Sequence, residues 1–408
     1  MPSNTLRSTH LFGALLLALA LPASAQAPGT EAPAADAAVP ASDVAATPPP
    51  IPEPEAAKPA ATDPALLDAE LLPRASRSLL LDAVRTNAGF FAVGERGHVL
   101  ASDDGVTWRQ AAVPTRATLT TISAFDGILW AAGHDGVIIH STDGGQTWIR
   151  RRATPWSYDS VDPSHGVPVM DLLFTDPLNG FAIGAYSLML VTSDGGVTWT
   201  SRTVASSAPA APPAPDPAVE AAPVDGAEPA EAETEAEDWT FSEEDLALDA
   251  ESDPHLNAIA RAGSGALVIA GERGTFLRSR DGGETWTSKR LPYEGSMFGV
   301  LSWQADHILV FGLRGNVYES RDLGDSWTRI ETGITTSLMG GYALENGGAV
   351  LVGANGAILT RPDAASPFTA TAFETASGET PLLSGVLPVD GAGYLVIGDK
   401  GADLYRPQ

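Results

Sequence analysis

The chain has 408 residues, with 51 acidic against 24 basic side chains, a formal net charge of -27 at pH 7 and no cysteine. The missing cysteine excludes disulfides, thiolate metal sites and thiol nucleophiles. The acidic balance lacks the cationic field that phosphate binding needs, so nucleic acid is not expected as a partner.

Taken in chain order, the first 25 residues read as an export signal: Arg7 gives a positive start, Leu11 to Leu21 an apolar stretch and Ala23-Ser24-Ala25 a small-residue site, with cleavage expected after Ala25. No other stretch approaches the roughly 18 continuous apolar residues of a membrane helix. The expected product is therefore exported or periplasmic, with no integral span after cleavage. Residues 26–65 are rich in Ala and Pro with scattered acids, too poor in apolar surface to offset ordering entropy, and read as a disordered linker. Leu66 to Leu72 form an apolar cluster close enough to the next segment to pack on it.

From Ser78 onward one unit repeats. In its first copy, Ser78 to Val84, Gly89 to Val93, His98 to Ala101 and Trp108 to Ala112 read as four short strands, with Glu95-Arg96 in a tight Gly-bounded turn. Short apolar runs ending in Gly-x-x-Gly recur with first glycines Gly94, Gly133, Gly184, Gly271, Gly312, Gly353 and Gly398, which makes seven units. Their spacings are 39, 51, 87, 41, 41 and 45 residues. The 87 contains an acidic low-complexity stretch, residues 206–253, with fifteen Asp or Glu and no Lys or Arg; removing its 48 residues restores 39. The 51 contains a smaller insertion, residues 153–167. A period near 40 with several short strands per unit is the signature of propeller blades.

The expected fold is all-β: a single seven-bladed β-propeller of four-stranded antiparallel blades, residues 66–408, carrying a disordered N-terminal tether and a disordered acidic insertion. Blades are expected at 78–115, 118–166, 168–205, 254–294, 296–333, 335–379 and 380–408. The seventh stops after its third strand, so residues 70–77 are expected to donate the fourth and close the ring. The expected state is a monomer.

Five units also carry an eight-residue phrase ending in tryptophan, such as Ser141-Thr-Asp-Gly-Gly-Gln-Thr-Trp148 and Thr192-Ser-Asp-Gly-Gly-Val-Thr-Trp199. Its aspartates, Asp103, Asp143, Asp194, Asp281 and Asp322, suit Asx-type turns, while Gly105, Gly145, Gly196, Gly283 and Gly324 supply positive φ. The tryptophans, Trp108, Trp148, Trp199, Trp286 and Trp327, open the outer strands and are expected to wedge between sheets, each burying ~150 to 250 Å². A whole blade separates each aspartate from the next, so no metal is expected there.

The phrase is similar to the Asp-box of BNR-repeat propellers, and its pairing with an upstream Gly-x-x-Gly resembles the Ycf48 family of photosystem II assembly factors. The resemblance covers residues 78–406. It implies a non-enzymatic assembly or stability factor without a cofactor, bound to a protein partner such as a membrane protein or an assembly intermediate. The chain departs from that family in lacking a cysteine for a lipid anchor and in its acidic insertion. Asp-box propellers also include sialidases, but the Phe-Arg-Ile-Pro signature and metal-type histidine spacings do not occur here. No catalytic residue is assigned; a glycoside hydrolase or a carbohydrate-binding propeller is the alternative.

Asp-boxes join strands three and four, whereas Gly-x-x-Gly turns join strands two and three, so the two lie on opposite faces. The residue before the second glycine position is Arg96, Asp135, Tyr186, Arg273, Arg314, Asn355 or Lys400. With His134, the basic members either form a cationic surface for an anion or acidic peptide, or are ordinary polar turn residues. The first insertion follows Arg150, Arg151 and Arg152 and carries Trp156, Tyr158 and His165, a composition typical of interface hot spots, although Trp156 equally suits packing onto blade three. The acidic insertion reads as a spacer, a partner-binding segment or a cover for the basic turns.

Overall fold

The computed structural model describes residues 62–160, 162–203 and 253–407. The export signal, nearly all of the 26–65 linker and all but the last residue of the acidic insertion lie outside them.

The described residues form seven antiparallel sheets, six of four strands and one of three, each in simple meander order. Blade one runs Leu80–Thr86, Gly89–Gly94, Val99–Ser102 and Arg109–Gln110, within two residues of the sequence expectation. The second strands are apolar on both sides because each is covered by its own sheet and by a neighbouring blade: Phe91, Val93, Trp130, Ala132, Ile183 and Ile269 are all buried. The core is accordingly a series of clusters between blades. One joins Phe91 and Val93 of blade one to Ile139 and Trp148 of blade two, and another joins Leu80 and Leu100 to Leu395 and Ile397 of blade seven.

The inner strands surround the axis, and all but the third copy of the same register irregularity fall between the first and third residues, as between Leu80 and Asp82 or Leu119 and Thr121; in blade three the shift is seen from the second strand, between Ile183 and Gly184. That bulge leaves polar groups at the axis to be satisfied by the next blade. Thr120 Oγ1 donates to Val169 O at 2.6 Å, Asn257 Nδ2 to Met297 O at 2.9 Å and Ser384 Oγ to Leu80 O at 2.8 Å. The last of these joins blade seven to blade one and closes the ring.

Closure differs from expectation in one respect. Residues 75–77 form a 3₁₀ turn, Ala75–Arg77, not a fourth strand for blade seven. The turn still covers that blade: the Ser76 carbonyl lies where a Cβ on Gly401 would fall, and Arg77 faces Asp403 at 3.7 Å. The reason is the path of the preceding chain. Residues 62–74 run as a strap along blade one, with Ala69 N donating to Val113 O, Leu72 N to Gln110 Oε1 and Arg116 N to Pro64 O. Chain committed to blade one cannot also lie along the edge of blade seven. The strap also corrects the linker boundary, because Pro64–Leu66 is a 3₁₀ turn and Ala65 is fully buried.

Candidate functional site

On one face, the Asp-box is a repeated hydrogen-bonded knot. In blade two, Asp143 Oδ1 accepts from Ser141 Oγ at 2.8 Å and from the Gln146 and Thr147 backbone N–H groups, while Thr147 Oγ1 donates to Oδ2 at 2.6 Å. Asp194, Asp281 and Asp322 repeat these bonds with Thr198, Thr285 and Ser326. The hydroxyl and then the backbone donation hold the carboxyls of Asp143, Asp194, Asp281 and Asp322 down to about 2. Both oxygens of each of these carboxyls are thus committed to the turn.

Blade one corrects the assignment of Asp103. Its box is one residue shorter, and Asp104 accepts from Ser102 Oγ and from the Val106 and Thr107 N–H groups. With only two residues between Ser102 and Gly105, Asp104 stands two residues after the serine, as Asp143 does in blade two.

The box glycines serve the seams between blades as well as the turns. Gly283 has φ of +91°, and a Cβ there would lie 2.3 Å from the Phe181 ring of blade three. Gly145 and Gly196 meet Phe91 and Trp130 of the preceding blades in the same way. Trp148 is buried, and the other box tryptophans are half-buried. Trp199, Trp286 and Trp327 stand edge-on to Phe174, Phe181 and Phe276.

Blade six has lost the phrase, and Arg361 stands where the others have Ser or Thr. Its guanidinium is 1% exposed, donates to Glu319 Oε1 at 2.7 Å and lies over the Trp303 and Phe368 rings. His307 Nε2 is 2.7 Å from the same oxygen. Burial pushes Glu319 up, but the bonds from His307 and Arg361 outweigh it and hold the carboxyl below its ordinary range. A buried ion cluster here replaces the box as the fastening between blades five and six.

The opposite face carries the Gly-x-x-Gly turns and the connections between blades. Arg96, Asp135, Tyr186, Arg273, Arg314 and Asn355 all have φ between 51° and 57°, a conformation costly to side chains other than Asn and Asp. The turn thereby lifts that residue away from the sheet. Arg96, His134, Arg314 and Lys400 are exposed and Arg273 is half-buried. Lys400 pairs with Glu379 at 2.8 Å, and Arg314 lines a cavity of about 660 Å³ with Leu291, Tyr293 and Glu294. The structure thus brings the basic turn residues to one face, at one repeated position.

The arginine triplet is used differently from its expected role in partner contact. Arg150 donates to Ala65 O and Pro114 O, tying the strap down, while Arg152 donates to Gly136 O at 2.7 Å and Arg151 reaches His140 Nδ1 at 3.5 Å. Two of the three guanidiniums on this outer strand, Arg150 and Arg152, are held by backbone carbonyls, and the third by an imidazole nitrogen. Trp156 remains 56% exposed and Tyr158 95% exposed, edge-on to each other at 4.9 Å. The insertion begins on the turn face, where Thr154 N donates to Asp135 O, and the acidic insertion returns there, where Pro254 O accepts from Ser187 N.

Beneath this face the axis holds a cavity of about 530 Å³ bounded by all seven inner strands. Asp82, Thr121 and Asp171 line one side, and Gly299, Gly340 and Gly385 occupy the matching positions of blades five to seven. Nothing in the motif reading singles out the two aspartates. The available signal is a carboxylate at the third residue of an inner strand, where other copies have Thr, Ala or Gly. Among the described residues, no group of three or more His, Cys, Asp or Glu is placed to hold a metal.

A closed ring of seven meander sheets, five of them carrying the box, is the architecture of a BNR-repeat β-propeller. The family description "Photosynthesis system II assembly factor YCF48" matches residues 234–401, somewhat less than half of the chain. The chain is a BNR-repeat β-propeller that resembles the Ycf48 family over those residues. It is similar to the solved structure of YCF48 bound to D1 peptide, with 14% identity, TM-score 0.54 and coverage of 81% of this chain and 93% of that one. YCF48 from Cyanidioschyzon merolae gives 15% identity, TM-score 0.54 and coverage of 81% and 95%. Streptogramin B lyase gives 13%, 0.55, 81% and 95%. At these identities the likeness concerns the fold alone. None of the curated proteins compared with the chain matches it.

Proposed function

We propose that this chain is an exported, non-catalytic scaffold whose turn face holds an acidic, extended segment of a membrane or envelope protein while a complex is assembled. The observation that carries the reading is the recurrence of Arg96, Arg273, Arg314 and Lys400 at one turn position of one face, in a chain of net charge -27. Exposed Trp156 and Tyr158, on the insertion rising from the same face, add the apolar contact typical of an interface anchor. YCF48 bound to D1 peptide is a precedent for a peptide held by this fold. What carries over is peptide binding, without the identity of the peptide.

The non-catalytic part of the reading rests on the commitment of the box carboxylates to their turns. The fold also serves a lyase, so fold alone does not exclude an enzyme, and turnover of a broad panel of chromogenic glycosides would overturn this part. The exported part rests on the sequence of residues 1–25.

The test is fluorescence anisotropy with a labelled acidic peptide and its Asn/Gln counterpart. Wild type is expected to prefer the acidic peptide with an affinity that falls as salt rises, and Arg273→Glu with Arg314→Glu to weaken binding by about tenfold or more. Equal affinity of the double variant for both peptides, matching wild type, would sink the reading.

A further inference from the structure

Thr121 is 2% exposed and stands between two carboxylates on neighbouring inner strands. Its Oγ1 is 3.1 Å from Asp82 Oδ2 and 3.2 Å from Asp171 Oδ1. A hydroxyl carries one proton to donate and two lone pairs to accept with. It therefore satisfies both ionised carboxylates never, and both contacts only if one of the acids is protonated and donates to it in turn. Each acid also fastens a seam: Asp82 Oδ2 accepts from Ile122 N at 2.9 Å in blade two, and Asp171 Oδ2 from Ile259 N at 2.8 Å in blade four.

We infer that Asp82, Thr121 and Asp171 form a proton-binding site on the propeller axis, in which one shared proton fastens blades one to four together. With the proton present, one acid donates to Thr121 Oγ1 and Thr121 donates to the other, so hydrogen bonds run without a break from Ile122 through both acids to Ile259. Loss of that proton as pH rises leaves two carboxylates facing a single donor, and one contact turns repulsive. The arc beneath Arg96 and His134 then loosens.

The surroundings favour the protonated form. Besides the pair itself, the titratable groups lining the cavity are His255 and Glu272, which face each other at 3.5 Å, and the lining holds no Lys or Arg. Blades five, six and seven contribute Gly299, Gly340, Gly385, Ser384 and apolar side chains. Burial pushes Asp82 up to about 6 and Asp171 up to about 7, against the pull of their backbone bonds, and the Asp82 charge adds to the rise of Asp171. Both acids are raised above their unfolded values, so their contribution to stability is complete below about pH 4 and is lost as pH rises through about 6 to 7.

The experiment is a ¹³C-carboxyl NMR titration of the full chain, aspartate-labelled, from pH 4.5 to 8.5, with melting temperatures over the same range. Wild type is expected to show two coupled aspartate titrations in that window and a melting temperature that falls as pH rises. In Asp171→Asn the Asp82 titration should move to lower pH, and the reciprocal shift should appear in Asp82→Asn, because each loses a negative neighbour. Thr121→Val should draw the two titrations closer together, since the bridge that stabilises the singly protonated pair is gone. Full ionisation of both acids by pH 5 in wild type would overturn the inference. So would an unchanged titration of the remaining acid in either Asn variant. The wild-type titration decides by itself if a variant does not fold.

Discussion

The two faces of the ring are built from the same strands yet obey different rules. On the Asp-box face the same bonds recur blade after blade, each carboxylate spent on its own turn and the box glycines of blades two to five pressed against an aromatic of the preceding blade. On the turn face the backbone conformation recurs but the side chain does not: Arg, Asp, Tyr, Arg, Arg and Asn share one left-handed geometry. Repetition therefore marks what the architecture needs, and variation at constant geometry marks positions that the architecture leaves open, where the proposed function places a partner. Blade six supports the first rule by exception. Where the phrase decays, Arg361, Glu319 and His307 take over the fastening, so the site must be held even when the motif is lost.

That contrast can be broken from either side. Deleting residues 62–77 would uncover Ala65 and Ala75 and release Arg116 and Arg150; unfolding is expected to become easier by on the order of 5 kcal/mol, read as a denaturation midpoint. Glu319→Ala leaves the Arg361 charge buried without a counter-ion and should cost about 3 to 5 kcal/mol by the same measurement. Gly283→Ala forces a Cβ against Phe181 in a left-handed conformation and should cost about 2 to 4 kcal/mol, while Gly282→Ala, with open space around it, should cost less. On the turn face, Arg273→Glu with Arg314→Glu should change stability by no more than about 1 kcal/mol while weakening acidic-peptide binding. A large loss of stability there would erase the distinction between the faces. The smallest effect is at His98, which is fully buried with neither ring nitrogen partnered among the described residues. Burial lowers its pKa, so it is carried as the neutral ring, and His98→Leu should be neutral or stabilising by about 1 kcal/mol in a thermal melt.

Acidity separates the box face from the axis in a further way. The box carboxyls are depressed from 3.8 to about 2, so their contribution is present above about pH 4 and disappears as pH falls through about 2. The axial pair runs in the opposite direction. A pH series of melting temperatures should accordingly rise from pH 2 to about 4 and then decline toward neutrality. Asp194→Ala is expected to reduce the acid limb, and a curve with no acid limb in wild type would contradict the hydrogen-bonded role of the box.

How much of this was legible in the sequence follows from range. The blade count, the strand order, the opposition of the two faces and the basic turn positions were all readable, because a 40-residue period and a Gly-bounded turn are local properties. The box itself was readable except in blade one, where a one-residue shortening moved the role from Asp103 to Asp104. The Arg150 to Arg152 triplet was misread for a different reason: cationic composition says nothing about which carbonyls lie beside it, and the strap that supplies one of them, Ala65 O, is 85 residues away in the chain.

By itself, then, the sequence determined a seven-bladed ring and the side of it on which variation is displayed, since spacing and turn chemistry act over a few residues. Tertiary structure alone decided how the ring closes and which cations, such as Arg150, Arg152 and Arg361, are spent on the fold. It alone set Asp82, Thr121 and Asp171 side by side. Residues 39 and 50 positions apart become neighbours only when the inner strands converge on one axis, and no local pattern encodes that convergence.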